Sequence, residues 1–279
     1  MSRKKQNPLR TAIFYLMVGF VVLLIVFPFL WQIRTSLMPP ELLDHIPLVW
    51  FPNRLFIDSY VDVFDGRPFL TYIMNSGIVA TTTTVVNLTV GAFAAYALAR
   101  LKFPGKNLVL SLVLAVSMFP VIAIVSPLFL FMRSMHLLNT YASLVLPYTT
   151  FAMPLCIWNL TTFFKEIPKE LEESAKVDGC TPMQAFRQII LPLTGPGLFT
   201  TAILVFISAW NEFLLSLTFN TADSMRTVPV GIAMFQGEHT LPWGDIAAAS
   251  VIVTIPLIIM VLIFQRRIIA GLTAGAVKG

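Results

Sequence analysis

Charged residues are scarce in this 279-residue chain: Asp, Glu, Lys and Arg make up 12% of it, where a soluble domain has about 25%. Hydrophobic residues make up 57%, which is above the usual range for soluble domains. The composition therefore predicts a membrane protein. The net charge of +5 does not indicate nucleic-acid binding, because the basic residues are not gathered into one domain and accompany no base-reading motif.

Cysteine and histidine are also scarce. Cys156 and Cys180 are the two cysteines, and they form no CxxC or Cys/His spacing, so neither a disulfide framework nor a metal site is expected. His45, His136 and His239 are isolated and are expected at the surface, since they lack ligand spacing. The sequence contains neither a Walker A motif nor an HExxH motif. We therefore expect no catalytic residues, no ATPase site and no cofactor on this chain.

Long segments without charge predict an all-α membrane protein with six transmembrane helices, because each is long enough for the ~20 residues that cross a bilayer. A β-barrel would need short alternating strands, which the sequence does not show. The first apolar segment is too long for a signal peptide and has no cleavage site, so it is read as an uncleaved helix. The predicted spans are 12–33, 70–99, 107–131, 138–164, 196–218 and 246–265, in a membrane domain of residues 11–270 between an N-terminus of 1–10 and a tail of 271–279.

The distribution of Lys and Arg predicts the orientation. With the N-terminus inside the cell, fourteen of the nineteen basic residues fall in cytoplasmic segments. The positive-inside rule then places both termini in the cytoplasm. The polar loop at 165–192, between the fourth and fifth spans, is cytoplasmic in this arrangement.

This loop has the pattern of two short amphipathic helices. The first begins near Pro168 and carries Ile167, Leu171 and Ala175 as an apolar stripe, until Gly179 ends it. The segment Thr181–Gln184 matches a capping box that opens the second helix. Its apolar side is predicted at Met183, Phe186 and Ile190, with Pro192 as its end.

A loop with an apolar stripe needs a partner surface. An amphipathic helix on lipid would carry a basic polar face, whereas residues 166–178 hold five acids and two lysines. Docking on a protein is therefore favoured over lying on lipid headgroups.

The spacing of this loop resembles the EAA motif of ATP-binding-cassette (ABC) importer permeases, EAA-x3-G-x9-I-x-LP. Here it begins at Glu173 and ends at Pro192, with Ser174 in place of the middle alanine. The resemblance implies a type I importer fold whose EAA coupling helix docks in a cleft of a cytoplasmic ATPase. It assigns ATPase coupling to Glu172, Glu173, Ser174, Ala175, Asp178, Gly179, Pro182, Phe186, Leu191 and Pro192.

Three further segments extend the resemblance to the maltose-type second permease: AFAAYALARLKFPGK at 92–106, SAWNEFLLSL at 208–217 and GLTAGAVKG at 271–279. The resemblance implies a permease subunit of the inner membrane that imports a di- or oligosaccharide such as trehalose or maltose. It implies as partners a second permease subunit, two ATPase subunits that bind ATP and Mg, and an extracytoplasmic solute-binding protein. It also implies a tail that inserts near the ATPase interface, with Gly271, Leu272, Thr273, Ala274 and Gly275.

Polar residues within the spans are candidates for the translocation path. Glu212 is an acid inside an apolar segment, where acids are costly and often functional, although its place near the span's outer end also suits a residue that reaches water. The amides are Asn75, Asn87 and Asn211, and small polar residues equally serve helix packing.

Two other classes compete with the importer. An autonomous secondary carrier would show inverted repeats and a buried acidic ion site, but no repeat is visible and Glu212 is a single acid. An intramembrane enzyme would need Ser/His or paired acids within the spans, and none is present.

Overall fold

The computed structural model describes residues 8–52, 54–65, 67–235 and 241–274, with side chains from residue 9 to residue 265 within these ranges. His239, most of the N-terminal segment 1–10 and the last five residues, including Gly275, lie outside the described residues. The described chain is mostly helical and has no strand. Its α-helices are α1 (Pro8–Ser36), α2 (Pro40–Leu43), α3 (Asp58–Asp62), α4 (Phe69–Arg100), α5 (Lys106–Ser117), α6 (Val121–Ser134), α7 (Tyr141–Glu166), α8 (Lys169–Val177), α9 (Pro182–Ala185), α10 (Leu191–Leu193), α11 (Gly195–Trp210), α12 (Leu214–Phe219), α13 (Val228–Ala233) and α14 (Trp243–Ala274).

Four of the described helices, α1, α4, α7 and α14, are long and apolar enough to cross a membrane. Two pairs of consecutive helices are each sharply bent at a short break, and the number of candidate spans is six if each pair is one span. One pair is α5 with α6, which meet at 90° on either side of Pro120. Proline cannot donate the backbone hydrogen bond that would continue a helix. The segment predicted as an unbroken span at 107–131 is thus two helices. The other pair is the helical segment Pro182–Leu193 with α11, which meet at 75°. The segment predicted as a span at 196–218 is also divided, since α11 ends at Trp210 and α12 begins at Leu214.

The chain forms two compact units, Met1–Arg67 with Phe235–Thr254 and Pro68–Met234 with Ile255–Gly279. In the first unit, the C-terminal end of α1 is tied to the loop that follows it. The Arg34 guanidinium lies 4.6 Å from the Trp31 ring centroid and donates to the carbonyls of Val49 and Trp50. The Ser36 hydroxyl is 2.7 Å from the Tyr60 hydroxyl.

The second unit is built around α4, α7 and α11, and it holds the candidate site. Small residues let these helices approach closely, as is usual in membranes. A Cβ atom on Gly91 of α4 would lie 2.6 Å from the Cys156 sulfur of α7, and one on Gly197 of α11 would overlap the Phe163 ring of α7. The close packing of these helices provides a firm base for the loop between α7 and α11.

Candidate functional site

The loop between α7 and α11 contains two short helices joined by a sharp turn, as the sequence predicts. Gly179 has φ +86°, a left-handed conformation that glycine adopts without steric cost. The Cys180 amide donates to the Ala175 carbonyl at 2.9 Å, and the Gly179 amide donates to the Lys176 carbonyl at 3.1 Å. These two bonds form a Schellman motif, which ends α8 and reverses the chain.

The predicted capping box is confirmed at the start of α9. The Gln184 amide donates to the Thr181 hydroxyl at 3.3 Å, and the Thr181 amide donates to the Gln184 side-chain oxygen at 2.8 Å. Pro182 occupies the first helical position, where its missing amide hydrogen costs nothing. Both helices of the loop therefore have defined ends.

The prediction that Pro192 ends the second helix is wrong. A π-helical turn at Phe186–Ile190 follows α9, and the helix continues through Pro192 to Leu193. The Leu191 amide donates to the Phe186 carbonyl, one residue further back than in an α-helix. Proline normally clashes with the carbonyl four residues before it. The wider π turn moves the preceding carbonyls away, so the helix tolerates Pro192 there.

The buried face of the loop differs in part from the predicted stripe. Ala175, Phe186 and Ile190 are buried as expected, but Leu171 is 41% exposed and Met183 is 47% exposed. Glu172, which is not part of the predicted stripe, is buried. Helical spacing alone could not decide which residue is buried beside Ala175. Leu171 lies four residues before Ala175 and Glu172 lies three residues before it, and both spacings place a side chain next to Ala175.

Glu172 is buried because α4 supplies partners for its carboxylate. The Tyr96 hydroxyl donates to Glu172 Oε1 at 2.8 Å. Arg100 Nε lies 3.7 Å from Glu172 Oε2, and these side chains are only 4% and 11% exposed. Lys176, whose side chain is half-exposed, adds a pairing of the same length, 3.7 Å to Glu172 Oε1, within α8. A buried carboxylate without such partners would be strongly destabilising.

Arg100 also holds the junction between α7 and α8. Its Nη2 donates to the Ile167 carbonyl at 2.6 Å, and Ile167 is the C-cap residue that follows α7. A guanidinium that caps a helix C-terminus interacts favourably with the exposed carbonyls there. Arg100 thus fixes the start of the loop, and Tyr96 fixes the body of α8.

The Tyr96 ring joins an aromatic cluster that receives the second half of the loop. Its centroid lies 4.7 Å from that of Phe186 and 6.1 Å from that of Phe164. Phe186 and Ile190 belong to a buried cluster with Leu160 and Cys156 of α7. Such aromatic pairs each contribute about 0.5–1.5 kcal/mol beyond their area. Both helices of the loop are therefore anchored on the same tyrosine.

The opposite face of the loop is open. Val177 is 88% exposed, and neighbouring exposed residues carry charges of both signs. Exposed apolar side chains next to charged ones are typical of a surface that binds a protein partner. The exposed residues of this face include Leu171, Glu173, Ser174, Lys176, Val177, Asp178, Pro182, Met183 and Arg187.

Glu212 lies between α11 and α12 and caps the shorter helix. Its carboxylate accepts the amides of Leu215 and Ser216 at 2.9 and 3.2 Å, and the Tyr148 hydroxyl at 2.5 Å. It also borders a cavity of about 260 Å³ with Tyr148, Phe151 and Ser208. The carboxylate thus compensates the free amides where the helix is broken.

The three asparagines do not converge on one site. Asn75 is buried and binds the carbonyls of Ser224 and Arg226, both at 2.9 Å. Asn87 donates to the Thr83 carbonyl of its own helix, while exposed Asn211 donates to Ile207. Asn87 and Asn211 therefore serve contacts within their own helices, Asn75 ties α4 to the Ser224–Arg226 segment, and a role in translocation stays a prediction.

The tail predicted at 271–279 begins inside a helix, because α14 extends through Gly271, Leu272, Thr273 and Ala274. His45 and His136 are exposed, as expected. Among the described residues, no group of three or more His, Cys, Asp and Glu side chains could hold a metal ion.

Sequence reasoning missed Tyr96, Arg100 and Tyr148 as partners of the two acids. Tyr96 and Arg100 lie in the AYALAR segment, which carried the resemblance but received no role. One signal was available, because Tyr96 and Arg100 are four residues apart and so share a helix face. Their partner could not be identified without the fold.

Comparisons with known proteins agree with this geometry. The family profile described as "Binding-protein-dependent transport system inner membrane component" matches residues 87–273. The trehalose transport system permease protein of Mycobacterium tuberculosis is 48% identical over 266 residues, which is 95% of each chain. The trehalose/maltose transport system permease protein of Thermococcus litoralis is 44% identical, over 95% of this chain and 96% of its own.

A third relative, the sulfoquinovosyl glycerol transport system permease protein of Agrobacterium fabrum, is 44% identical over 91% of this chain and 89% of its own. Among solved structures, a bacterial ABC transporter that imports alginate superposes with a TM-score of 0.78, at 19% identity, over 95% of this chain and 99% of that one. The fold is that of an ABC importer permease. The chain belongs to the family of inner-membrane components of binding-protein-dependent transport systems.

Proposed function

We propose that this chain is one of two permease subunits of an ATP-driven, binding-protein-dependent importer of a di- or oligosaccharide such as trehalose or maltose. Its relatives from Mycobacterium tuberculosis and Thermococcus litoralis transport trehalose or trehalose and maltose, according to their names. The Agrobacterium relative handles a sulfoquinovosyl glycerol. A sugar unit is common to these substrates.

The observation that carries the proposal is the two-faced loop at 165–192. One face is fixed to α4 and α7 through Tyr96 and Arg100, and the other exposes Val177 and Glu173. A loop that is rigidly attached on one side and open on the other is suited to transmit the motion of a docked subunit. The partners in this proposal are a second permease, two ATPase subunits that hold ATP and Mg, and an extracytoplasmic solute-binding protein.

The chain itself is proposed to bind no cofactor and to catalyse no reaction. Its membrane is the inner membrane, with both termini and the 165–192 loop on the cytoplasmic side. This orientation is supported by the distribution of basic residues, and it places the exposed face of the loop where ATP is available.

The proposal is tested by reconstituting the chain with its three kinds of partner in liposomes. With ATP enclosed and the binding protein outside, labelled trehalose or maltose should accumulate inside. A non-hydrolysable ATP analogue is the control and should abolish accumulation. Uptake by the lone chain, driven by an ion gradient and indifferent to ATP, would instead establish a secondary carrier.

A further inference from the structure

Two adjacent glutamates of the loop have opposite surroundings. Glu172 is buried against α4 and accepts a hydrogen bond from Tyr96, whereas Glu173 is exposed. They differ by one position and share the same chemistry. Only Glu173 can reach a docked subunit, since the carboxylate of Glu172 is already enclosed by Tyr96 and Arg100.

We propose that Tyr96, Arg100 and Glu172 form a buried joint that makes α8 move as one body with α4, so that Glu172 is a positioning residue and not an ATPase contact. The joint has three connections: hydroxyl to carboxylate, guanidinium near carboxylate, and guanidinium to the Ile167 carbonyl. This inference deepens the proposed function and rests on it.

The joint is needed because α8 is otherwise weakly held. It has nine residues, too few to be stable as an isolated helix in water. Its buried residues are Glu172 and Ala175, and a methyl group contributes little burial. The polar contacts to α4 therefore decide whether a displacement of α8 by a docked subunit is transmitted to the membrane helices or moves α8 alone.

One contact of the joint, between Arg100 and Glu172, is longer than a hydrogen bond. Arg100 Nε makes no hydrogen bond within the described chain, and it lies 3.7 Å from Glu172 Oε2. A hydrogen bond would need about 2.7–3.2 Å. A shift of α8 toward α4 by less than 1 Å would close this contact.

The first measurement follows coupling in the reconstituted complex. Tyr96→Phe removes one oxygen atom and keeps the ring contacts, and Glu172→Gln removes the charge. Loss of a charged hydrogen bond lowers the equilibrium constant for packing α8 against α4 by about tenfold or more. The number of ATP molecules hydrolysed per sugar imported should therefore rise severalfold, while the ATPase subunits stay bound. Glu173→Gln is the matched control, and it should instead weaken ATPase binding.

The double variant Tyr96→Phe/Glu172→Leu should be no worse than Glu172→Leu alone, because Glu172→Leu already removes the acceptor of the Tyr96 hydroxyl. A merely destabilised protein would show additive losses. The joint is refuted if Glu172→Gln releases the ATPase as Glu173→Gln does, or if the ratio of ATP to sugar stays at the parent value in Tyr96→Phe.

A second measurement does not depend on transport. Spin labels at Val90 of α4 and at Glu170 of α8, an exposed position outside the proposed docking face, report the distance between the helices in a Cys180→Ser background of the assembled complex. The distribution should be narrow in the parent and broader in Tyr96→Phe. Labels at Val90 and Leu155 of α7 are the control and should not change.

The two measurements separate the possible failures. A parent complex that imports no sugar with ATP would overturn the proposed function, while the label distances would still test the joint. An equally narrow Val90 to Glu170 distribution in Tyr96→Phe and Glu172→Gln would overturn the joint, whatever the transport assay shows.

Discussion

Gly91 of α4 lies directly against Cys156 of α7, so that a Cβ atom on Gly91 would be 2.6 Å from the cysteine sulfur. The sulfur also lies 3.2 Å from the Asn87 carbonyl one turn earlier, to which it donates. The two helices that support the loop are thus in contact through atoms that leave no space for a methyl group.

Gly91→Ala should therefore destabilise the protein. Overpacking a close contact costs about 1–3 kcal/mol, so the thermal midpoint of the detergent-purified chain should fall. Gly77→Ala in the same helix is the matched control, because nothing lies within 4 Å of a Cβ atom at Gly77. Equal midpoints for the two variants would show that α4 and α7 do not pack as described.

Gly179→Val should reduce uptake without preventing membrane insertion. A Cβ atom there has open space around it, so the cost comes only from the φ of +86°. A β-branched residue in that conformation costs about 1–2 kcal/mol. Gly179→Asn should retain most activity, since asparagine tolerates left-handed backbone. Transport by Gly179→Val at the parent rate, with equal expression, would mean that the turn is not needed.

Glu173→Lys should weaken ATPase association and lower uptake. Breaking a desolvated pair across an interface costs about 2–5 kcal/mol, whereas an exposed glutamate with no partner contributes at most about 1 kcal/mol. A charge-reversed ATPase variant should restore part of the loss. Glu170→Lys, at another exposed glutamate of α8, is the control. Co-purification at the parent level would place Glu173 outside the interface.

The two cysteines provide a test of orientation. Cys180 lies partly exposed in the loop and Cys156 is buried, so a membrane-impermeant maleimide should modify only Cys180. In the proposed orientation, labelling occurs in inside-out vesicles and not in intact spheroplasts, and Cys180→Ser abolishes it. Labelling of intact spheroplasts would reverse the topology.

Glu212 is expected to act as a helix cap. Glu212→Leu leaves the Leu215 and Ser216 amides without their acceptor, and loss of a cap costs about 0.5–2 kcal/mol, so thermal stability should fall. Glu212→Gln keeps one acceptor oxygen and should retain most of that stability. If Glu212→Gln raised the KM for sugar severalfold at unchanged stability, Glu212 would belong to the translocation path.

Local rules were sufficient for the ends of the loop helices. Gly179 and the Thr181–Gln184 box were predictable because their bonds join residues at most five positions apart. The continuation of the helix through Pro192 was not, because it depends on a π turn that no local propensity favours. The break at Asn211–Phe213 was not predictable from local rules either, because Glu212 accepts a hydrogen bond there from Tyr148 of another helix.

The sequence by itself determined the class of protein: apolar segments of spanning length and the spacing from Glu173 to Pro192 are properties of the chain read in order. Only the tertiary structure decided which glutamate faces inward. Helical periodicity places Glu172 and Glu173 about 100° apart, but it cannot tell which of them meets Tyr96, a residue 76 positions away in sequence. Burial of a charge depends on the partners that packing brings to it, and those partners lie on another helix.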